Sequence, residues 1–424
     1  MALTTVRAQV AGTWHTLTYN VSTGYYEAEI TAPATSYHQT GDYYNVIAEA
    51  TNETGTTVQA DSSDIPALKL VVNETTPPTL TLVSPAQGYV TTTTPKIIFD
   101  AKDTGAGINI SSLVVKLDGT TVASSLITTA TVTNGYRVTY APTLSQGAHT
   151  IVASVEDFDN NTKQLTLKYT IDTVPPSLIG TDDLWRPVVD VSSVKISALT
   201  DDVTSGPVSV VIKRNGSSVG DVSVDADGNF SHTVPLVIGD NTVTVTATDK
   251  AGLSTVKDLF VIRLVTDRKQ SDIDRLKALY ASGNFDTWSD EDKSWYLATV
   301  NRAAYNASDM NRVTDAVNLL DTLFEEMGST SGVTALEIED GRTIWQGDDI
   351  PELLWSGQTK HYLQNVAKIR AVFPIDAPSV PADMNKFTRG EANNIEKILV
   401  AAGAVIPLAK ASQWVSGEIF CGES

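Results

Sequence analysis

The chain has 424 residues, of which 42% are hydrophobic and 19% charged, a composition typical of folded globular proteins. Its 50 Asp and Glu against 30 Lys and Arg give a net charge of −20, which repels nucleic-acid phosphates and anionic lipids, so we expect neither nucleic acid nor a membrane as a partner. One cysteine, Cys421, excludes a disulfide within the chain. No secretory signal and no run of about 18 apolar residues is visible, so the sequence predicts neither general secretion nor membrane insertion.

The first segment, residues 1–74, has the pattern of a truncated Ig-like β module. Alternating residues around turns predict two hairpins and an exit strand, in "VRAQVAGTW" (Val6–Trp14), "STGYYEAEI" (Ser22–Ile30) and "GDYYNVIAEATNETG" (Gly41–Gly55). Eleven residues precede Gly12, against about 41 between a proline pair and the equivalent glycine in the complete copies described below, so two opening strands are missing. We expect a strand from a neighbouring subunit, or the extra residues Ala60–Leu70, to complete this module.

Two proline pairs divide the next part of the chain. "NETTPPTL" and "IDTVPPSL" place their first prolines, Pro77 and Pro175, 98 residues apart. Proline fixes φ, lacks a backbone N–H and keeps the preceding residue extended, so each pair stops sheet pairing and stiffens the chain. The sequence therefore predicts two further modules, residues 75–173 and 174–264.

These two modules repeat one pattern of short strands. Each contains the dipeptide most typical of a tight hairpin, at Asp118-Gly119 and at Asn215-Gly216. In "TVTVTAT" (Thr242–Thr248) apolar residues alternate with threonine, as in a half-buried strand of an antiparallel sheet. Short strands at regular spacing, without a helical pattern, predict tandem immunoglobulin-like β-sandwiches.

After Leu264 the pattern becomes helical, and residues 265–424 are predicted to form a small all-α domain with a short β-like tail. Ser289 with Asp292 and Thr388 with Glu391 match capping boxes. The predicted helices are one with apolar positions Ile273, Leu276, Leu279 and Tyr280, one from Ser308 to Gly328, one from about Gln358 to Phe373, and one at Gly390–Ala402.

Two resemblances to known families add to this picture. "DTVPP" and "VTVTATDKAGLST" resemble the bacterial Ig-like repeats of surface and phage proteins, over roughly residues 77–264. "AAYNASDMNRVTDAVNLL", "DDIPE", "EANNIEKIL" and the tail "WVSGEIFCGES" together resemble a C-terminal domain of tail-region structural proteins in phages and prophages of Gram-positive gut bacteria. The second resemblance implies a component of a virion or tail-like particle and carries no catalytic residues.

Residue types that could perform chemistry are present but form no recognisable motif. The five histidines do not have metal-ligand spacing, and Cys421 has no histidine near it in sequence; the histidines are His15, His38, His149, His232 and His361. The acidic turn Asp225–Asp227 could hold Ca²⁺, but it lacks the downstream Glu of an EF-hand loop, so we interpret it as a hairpin turn. We therefore expect no catalytic, cofactor-binding or metal-binding residues, no cofactor and no enzyme activity.

Asp157 and Asp249 end equivalent strands, where we expect each to hydrogen-bond its own turn. Two adjacent tyrosine pairs, Tyr25-Tyr26 and Tyr43-Tyr44, could stack on sugars, but we expect one member of each pair in the core and one at an edge.

The sequence favours a non-enzymatic structural component of a phage tail or tail-like particle, in a baseplate, fibre or decoration. Its partners would be other tail proteins and further copies of itself, with a host-surface glycan as an additional ligand. It would be made in the host cytoplasm and located in the virion. The alternative is a bacterial cell-surface adhesin or carbohydrate-binding Ig-like protein, for which no signal or anchor is visible.

Overall fold

The computed structural model describes residues 2–180, 187–206, 209–303, 305–338, 342–346, 356–385 and 387–409. The chain divides into two compact units, Met1–Thr173 and Val174–Ser424. The division falls at the second proline pair, where proline interrupts backbone pairing. Each unit is described separately.

The first module of the first unit is built around one sheet. Its strands are β1 (Leu3–Val10), β2 (Thr13–Thr16), β3 (Thr18–Asn20), β4 (Tyr25–Glu27), β5 (Tyr44–Asn45), β6 (Ile47–Asn52), β7 (Thr57–Ala60) and β8 (Lys69–Leu70). The main sheet has the order β2-β1-β6-β7, while β3–β4 and β5–β8 form separate two-stranded pairs. The predicted hairpin at Gly12 is confirmed, because Ala11 (φ 47°) and Gly12 (φ 81°) turn β1 back into β2.

A complete β-sandwich follows in residues 75–173. Its strands are β9 (Thr79–Ser84), β10 (Gly88–Val90), β11 (Ile97–Lys102), β12 (Ile108–Leu117), β13 (Thr120–Thr121), β14 (Ile127–Val132), β15 (Gly135–Tyr140), β16 (Gly147–Asp157) and β17 (Thr162–Ile171). The sheet β10-β17-β16-β12-β13 faces the sheet β14-β15-β11-β9 across a buried core. That core includes Phe99, Ile151, Leu167 and Tyr169, which alternate with outward residues along their strands.

The first module lacks several of the strands that the second module has. The order β2-β1-β6-β7 repeats the order β13-β12-β16-β17, so the first module has four of the five strands of this sheet and no described counterpart of β10. Of the second sheet it has only β3 and β4, the counterparts of β14 and β15, and no described counterpart of β9 or β11. Val10 is therefore the one buried hydrophobic side chain among residues 2–74. The extra residues Ala60–Leu70 contribute only the short strand β8 beside β5.

The second unit begins with the third sandwich. Its strands are β18 (Ser177–Ile179), β19 (Val188–Val189), β20 (Ser193–Asp201), β21 (Ser209–Arg214), β22 (Ser217–Ser218), β23 (Asn229–Pro235), β24 (Gly239–Thr248) and β25 (Ser254–Arg263). The sheet β19-β25-β24-β21-β22 reproduces the five-stranded sheet of the second module, and β18-β20-β23 reproduces β9-β11-β15 without a described counterpart of β14. The repeat detected in the sequence is therefore a repeat of strand topology, and the predicted fold class, Ig-like β-sandwiches followed by a small helical domain, is confirmed.

The described part of the second unit that follows the third sandwich contains five α-helices. They are α1 (Gln270–Ser282), α2 (Asp290–Ala303), α3 (Ala307–Glu326), α4 (Ser356–Val372) and α5 (Arg389–Gly403). The capping box of Thr388 with Glu391 is confirmed, and a second box, Asn306 with Asp309, was missed by the sequence analysis. The predicted β-like tail and the segment "DDIPE" lie outside the described residues.

The third sandwich and the helices share one hydrophobic core. Val188, Ile262 and Leu264 from the sandwich pack with the buried faces of α3, α4 and α5. The span Arg389–Ala409 is long and apolar enough to cross a membrane, yet half of its apolar window is buried inside the domain, as a core helix would be.

Candidate functional site

Three carboxylates meet at the start of the second module. Glu74 lies in the linker before the first proline pair, Asp103 follows β11, and Asp157 ends β16. Each offers an oxygen within 4.8 Å of the others, and Asp157 is fully buried. Oxygens arranged in this way suit a hard divalent cation. We call these three residues the module-2 acidic cluster.

The local sequence explains how this cluster is held. The backbone N–H groups of Gly105 and Gly107 donate to Asp103 Oδ1 (2.6 and 3.0 Å), so the loop after β11 closes around that carboxylate. Glu74 reaches the same loop, where the N–H of Ala106 donates to Glu74 Oε1. A Cβ on Gly105 would stand 1.9 Å from Glu74 Oε2, so the approach of the carboxylate requires glycine.

Asp157 is held by its own turn, as the sequence predicted. The Asn161 backbone N–H donates to Asp157 Oδ1 (2.8 Å), and the Asn161 side-chain amide donates to Oδ2 (2.9 Å). The same amide donates to Glu74 O (3.0 Å), which fixes the linker to the end of the module. Both oxygens of this buried carboxylate therefore have a protein donor, and each keeps a second lone pair that a further ligand could use.

The third sandwich repeats part of this arrangement. Asp202 follows β20 as Asp103 follows β11, and Asp249 follows β24 at the position equivalent to Asp157. Oxygens of Asp202 and Asp249 lie within 4.8 Å of one another, and both residues are buried. The prediction that Asp249 bonds its own turn is confirmed, because the Leu253 N–H donates to Asp249 Oδ1 (2.9 Å). We call Asp202 and Asp249 the module-3 acidic pair.

Glu74, Asp103 and Asp202 are not predicted as candidate ligands from the sequence. Histidine spacing and EF-hand patterns are local in sequence, whereas these carboxylates come from separate loops. The repeat itself carried a usable signal, because Asp202 stands 99 residues after Asp103, close to the 98-residue spacing of the proline pairs.

The acidic turn Asp225–Asp227 is a hairpin turn, as interpreted from the sequence. Asp225 Oδ1 accepts from the backbone N–H groups of Asp227 (3.0 Å) and Asn229 (2.8 Å). The hydrogen bond from the Asn229 backbone lowers the pKa of Asp225, so the ionised Asp225 carboxylate stabilises the turn. Among the described residues, this turn is not part of a group of three potential metal ligands.

The histidines lie apart from one another in local hydrogen bonds. His149 Nδ1 pairs with Asp118 Oδ2 at 2.7 Å, His38 Nε2 contacts Gly105 O at 2.9 Å, and His361 Nε2 contacts Thr334 Oγ1 at 2.7 Å. His232 Nε2 contacts Val219 O at 3.2 Å, and His15 pairs across the first hairpin with Ala8. Cys421 lies outside the described residues.

The tyrosines of β4 are more exposed than predicted. Tyr25 is 71% exposed and Tyr26 38% exposed, so the expectation that one of the pair enters a core is wrong. The cause is the missing sheet, which leaves the β3–β4 hairpin without a core to cover. Tyr26 instead packs on Tyr19, with ring centroids 5.3 Å apart. Tyr43 and Tyr44 are half-buried, and Tyr44 Oη donates to Ala34 O (3.0 Å).

The first two modules meet through a small interface beside the acidic cluster. Tyr37 stacks on Phe158 with ring centroids 4.2 Å apart, and Thr35 Oγ1 donates to Asp159 Oδ2 (2.6 Å). A cavity of about 510 Å³ opens between them, lined in part by Pro33, Tyr44 and Glu74. These contacts hold the two modules of the first unit together.

Comparison with family models identifies the class of the sandwiches. Residues 78–153 match the family described as "Bacterial Ig domain", and residues 191–263 match "Glucodextranase, domain B". The two matches cover the second and third modules and less than half of the chain. No curated protein matches the chain.

Several solved structures of tandem β-sandwich proteins align with the chain at low similarity. The fibronectin(III)-like modules of Clostridium thermocellum CbhA align with 15% identity and a TM-score of 0.29, covering 44% of this chain and 94% of that one. The titin fragment I67–I69 aligns with 13% identity and a TM-score of 0.33, covering 44% of this chain and 66% of that one. Extracellular domains 3–5 of Drosophila OTK align with 12% identity and a TM-score of 0.23, covering 61% and 85%.

Proposed function

We propose that this chain is a non-enzymatic structural component of a phage tail or tail-like particle. The observation that carries the proposal is the first module, which has four strands of one sheet, only the short pair β3–β4 of the other, and Val10 as the one buried hydrophobic residue among residues 2–74. A sheet left in this state favours pairing or packing with another subunit. The resemblance of residues 265–424 to a domain of tail-region proteins supports the same assignment.

The charged groups of the helical domain support a structural role. Arg268, Arg312, Asp309 and Glu396 are all buried and pair with one another, with contacts such as Arg268 Nη2 to Glu396 Oε1 at 2.7 Å. The Nε atoms of Arg268 and Arg312 have no partner among the described residues, but all four side chains are buried. Charges that are paired and closed off from solvent in this way present no exposed acid, base or nucleophile to a substrate. In this proposal the partners are other tail proteins and further copies of the chain, and the location is the virion, after synthesis in the host cytoplasm.

The α1–α2 hairpin is the surface that we assign to assembly contacts. It has its own small core of Leu276 and Trp288, and it leaves Leu297 70% exposed and Tyr280 58% exposed. Large apolar side chains exposed on a separate subdomain are typical of contact surfaces.

The test is incorporation into particles. Mass spectrometry of purified particles should find the wild-type chain, and the change Leu297→Asp should reduce its amount while leaving the melting temperature of the free chain unchanged. The matched control is Leu408→Asp, at another exposed leucine (72%) outside the hairpin. Absence of the wild-type chain from particles would refute the proposal, and wild-type levels of Leu297→Asp would refute the assigned surface.

A surface adhesin or carbohydrate-binding protein is the second candidate. It is favoured by the exposed rings of Tyr19 and Tyr25 on the β3–β4 hairpin, since sugars stack on exposed aromatic rings. Binding of host cell-wall glycans that is lost in Tyr25→Ala and retained in Val58→Ala, a change at an exposed apolar residue of β7, would favour this candidate. Degradation of the same glycans by the pure chain would contradict both candidates.

A further inference from the structure

We propose that the module-3 acidic pair, Asp202 and Asp249, binds a calcium ion. The pair lies at one end of the third sandwich, where the loop after β20 meets the turn after β24. Its carboxylate oxygens approach within 4.8 Å of one another in a buried position, with Asp249 3% exposed and Asp202 9% exposed. Two like charges held this close out of water disfavour each other unless an opposite charge joins them.

A second observation is an oxygen without a donor. Asp249 Oδ1 accepts the N–H of Leu253, but Asp249 Oδ2 is buried and has no hydrogen-bond partner among the described residues. Buried carboxylate oxygens are almost always paired, so an orphaned one indicates a missing ligand.

The second module supplies a natural comparison. At the position equivalent to Leu253 it has Asn161, whose side-chain amide donates to Asp157 Oδ2 (2.9 Å). Asp157 and Asp249 are otherwise held alike, each by the backbone N–H four residues later. Exchanging asparagine for leucine removes the donor and leaves the oxygen available for an external cation.

Backbone donors in the loop after β20 hold the Asp202 carboxylate in place. Asp202 Oδ1 accepts three backbone N–H groups, from Thr204 (3.0 Å), Ser205 (2.6 Å) and Gly206 (3.0 Å), which fixes the carboxylate. The Lys250 ammonium lies 3.6 Å from the point where a Cβ on Gly206 would stand. None of the ion pairs found between described residues involves Asp202 or Asp249.

Calcium fits this site better than magnesium. Ca²⁺ accepts six to eight oxygens in flexible geometry, including water and backbone carbonyls, whereas Mg²⁺ requires a near-ideal octahedron. With only two carboxylate ligands, we expect a calcium affinity like that of weakly binding extracellular modules, with Kd on the order of 10⁻⁴ to 10⁻³ M. At 10 mM calcium, binding with Kd near 10⁻⁴ M should raise the melting temperature of the second unit by about 5–10 °C.

The test uses the full chain and compares calcium with magnesium and EGTA, by thermal melting and isothermal titration. Asp249→Asn should remove one calcium site and the melting shift. Leu253→Asn should also lower the calcium response, because its amide can donate to Asp249 Oδ2 as Asn161 does to Asp157, and it should melt no lower than wild type without calcium. Asp225→Asn is the control and should respond as wild type does.

The outcomes separate the alternatives. Equal calcium binding by wild type and Asp249→Asn would overturn the proposal, as would loss of the response in Asp225→Asn instead. No calcium response in wild type would also overturn it. Because these readouts concern binding alone, they are independent of whether the chain is found in particles.

Discussion

At the scale of single residues, the most consequential feature is the buried charge network of the helical domain. Arg268 lies just after the third sandwich, Asp309 and Arg312 on α3, and Glu396 on α5, each no more than 4% exposed. Burial lowers the pKa of Arg312, but Glu396 and Asp309 outweigh that effect and raise it, so the guanidinium stays charged. Such networks gain little over an apolar core, yet removing one member is costly.

We expect Glu396→Gln to destabilise the second unit by about 3–5 kcal/mol, because both buried arginines lose a charged acceptor. Glu396 Oε1 accepts from both Arg268 (2.7 Å) and Arg312 (2.8 Å). Urea denaturation followed by tryptophan fluorescence measures the change, with Glu325→Gln on the exposed face of α3 as the control. A loss below about 1 kcal/mol would show that the network is not a cooperative unit.

A second residue-scale prediction concerns pH. Asp315 is exposed as a residue, but partial desolvation of its carboxyl, and then the charge of Asp240, raise its pKa to about 6. A carboxyl with a raised folded pKa stabilises the fold at low pH, and this stability is lost as pH rises from about 4 to 6. Asp315→Asn should therefore stabilise the unit at pH 7.5 and have no effect at pH 4, and because Asp315 faces solvent the gain should stay below about 1 kcal/mol.

Denaturation midpoints at the two pH values check this prediction. The change Asp240→Asn removes one cause of the raised pKa of Asp315. In that background, Asp315→Asn should therefore stabilise the unit by less than it does in wild type. A stabilisation by Asp315→Asn that is equal at both pH values would have a cause other than ionisation.

At the scale of elements, the first module shows what one sheet does alone. Strands β1 and β6 pair over six registered positions, as β12 and β16 do in the second module. However, no opposite sheet covers them, and several large apolar residues stay exposed, including Leu3 and Val58. Backbone hydrogen bonds that packed side chains do not cover stay accessible to water, so we expect β1 and β6 to open readily.

Hydrogen exchange on the isolated chain tests that expectation. Amides of β1 and β6 should exchange much faster than their counterparts in β12 and β16, which serve as the internal control. Addition of the subunit that completes the module should slow them. If the amides of Val6–Val10 and Ile47–Asn52 are already as protected as those of the second module, the first module is self-sufficient and needs no partner.

At the scale of the molecule, the helical domain is continuous with the third sandwich. Leu264 and Ile262 enter the core formed by α3, α4 and α5, and Val265 donates its N–H to Glu396 Oε2. The sequence predicts a domain boundary between residues 264 and 265. This boundary separates the sandwich from the helices, but residues on both sides of it belong to one hydrophobic core. Truncation there would expose apolar side chains on both sides.

Leu264→Ala should destabilise the sandwich and the helices together by about 2–5 kcal/mol, since it leaves a cavity in their common core. Leu264 is 1% exposed, and Leu408→Ala, at a leucine that is 72% exposed, is the matched control. Circular dichroism at the helix and strand wavelengths should follow the same denaturation curve. Loss of helix signal alone would mean that the two parts fold independently.

The sequence predicted what depends on neighbouring residues and missed what depends on distant ones. Hairpins at Asp118-Gly119 and Asn215-Gly216 follow from local backbone chemistry, and both pairs have positive φ in the structure. The Thr388 capping box is equally local. The acidic clusters and the network around Glu396 join segments that only the fold brings together, and the exposure of Tyr25 follows from a sheet that is missing.

The parallel pairing of the short strands β10 and β19 has a mechanical consequence. β10 pairs with β17 through Gly88↔Tyr169, Tyr89↔Thr170 and Val90↔Ile171, and β19 pairs with β25 in the same sense. When tension pulls a module by its two ends, parallel partners slide past each other, so their hydrogen bonds must break together rather than one at a time. We therefore expect the parallel pairs β10–β17 and β19–β25 to carry the load in shear when the second and third sandwiches are stretched by their ends.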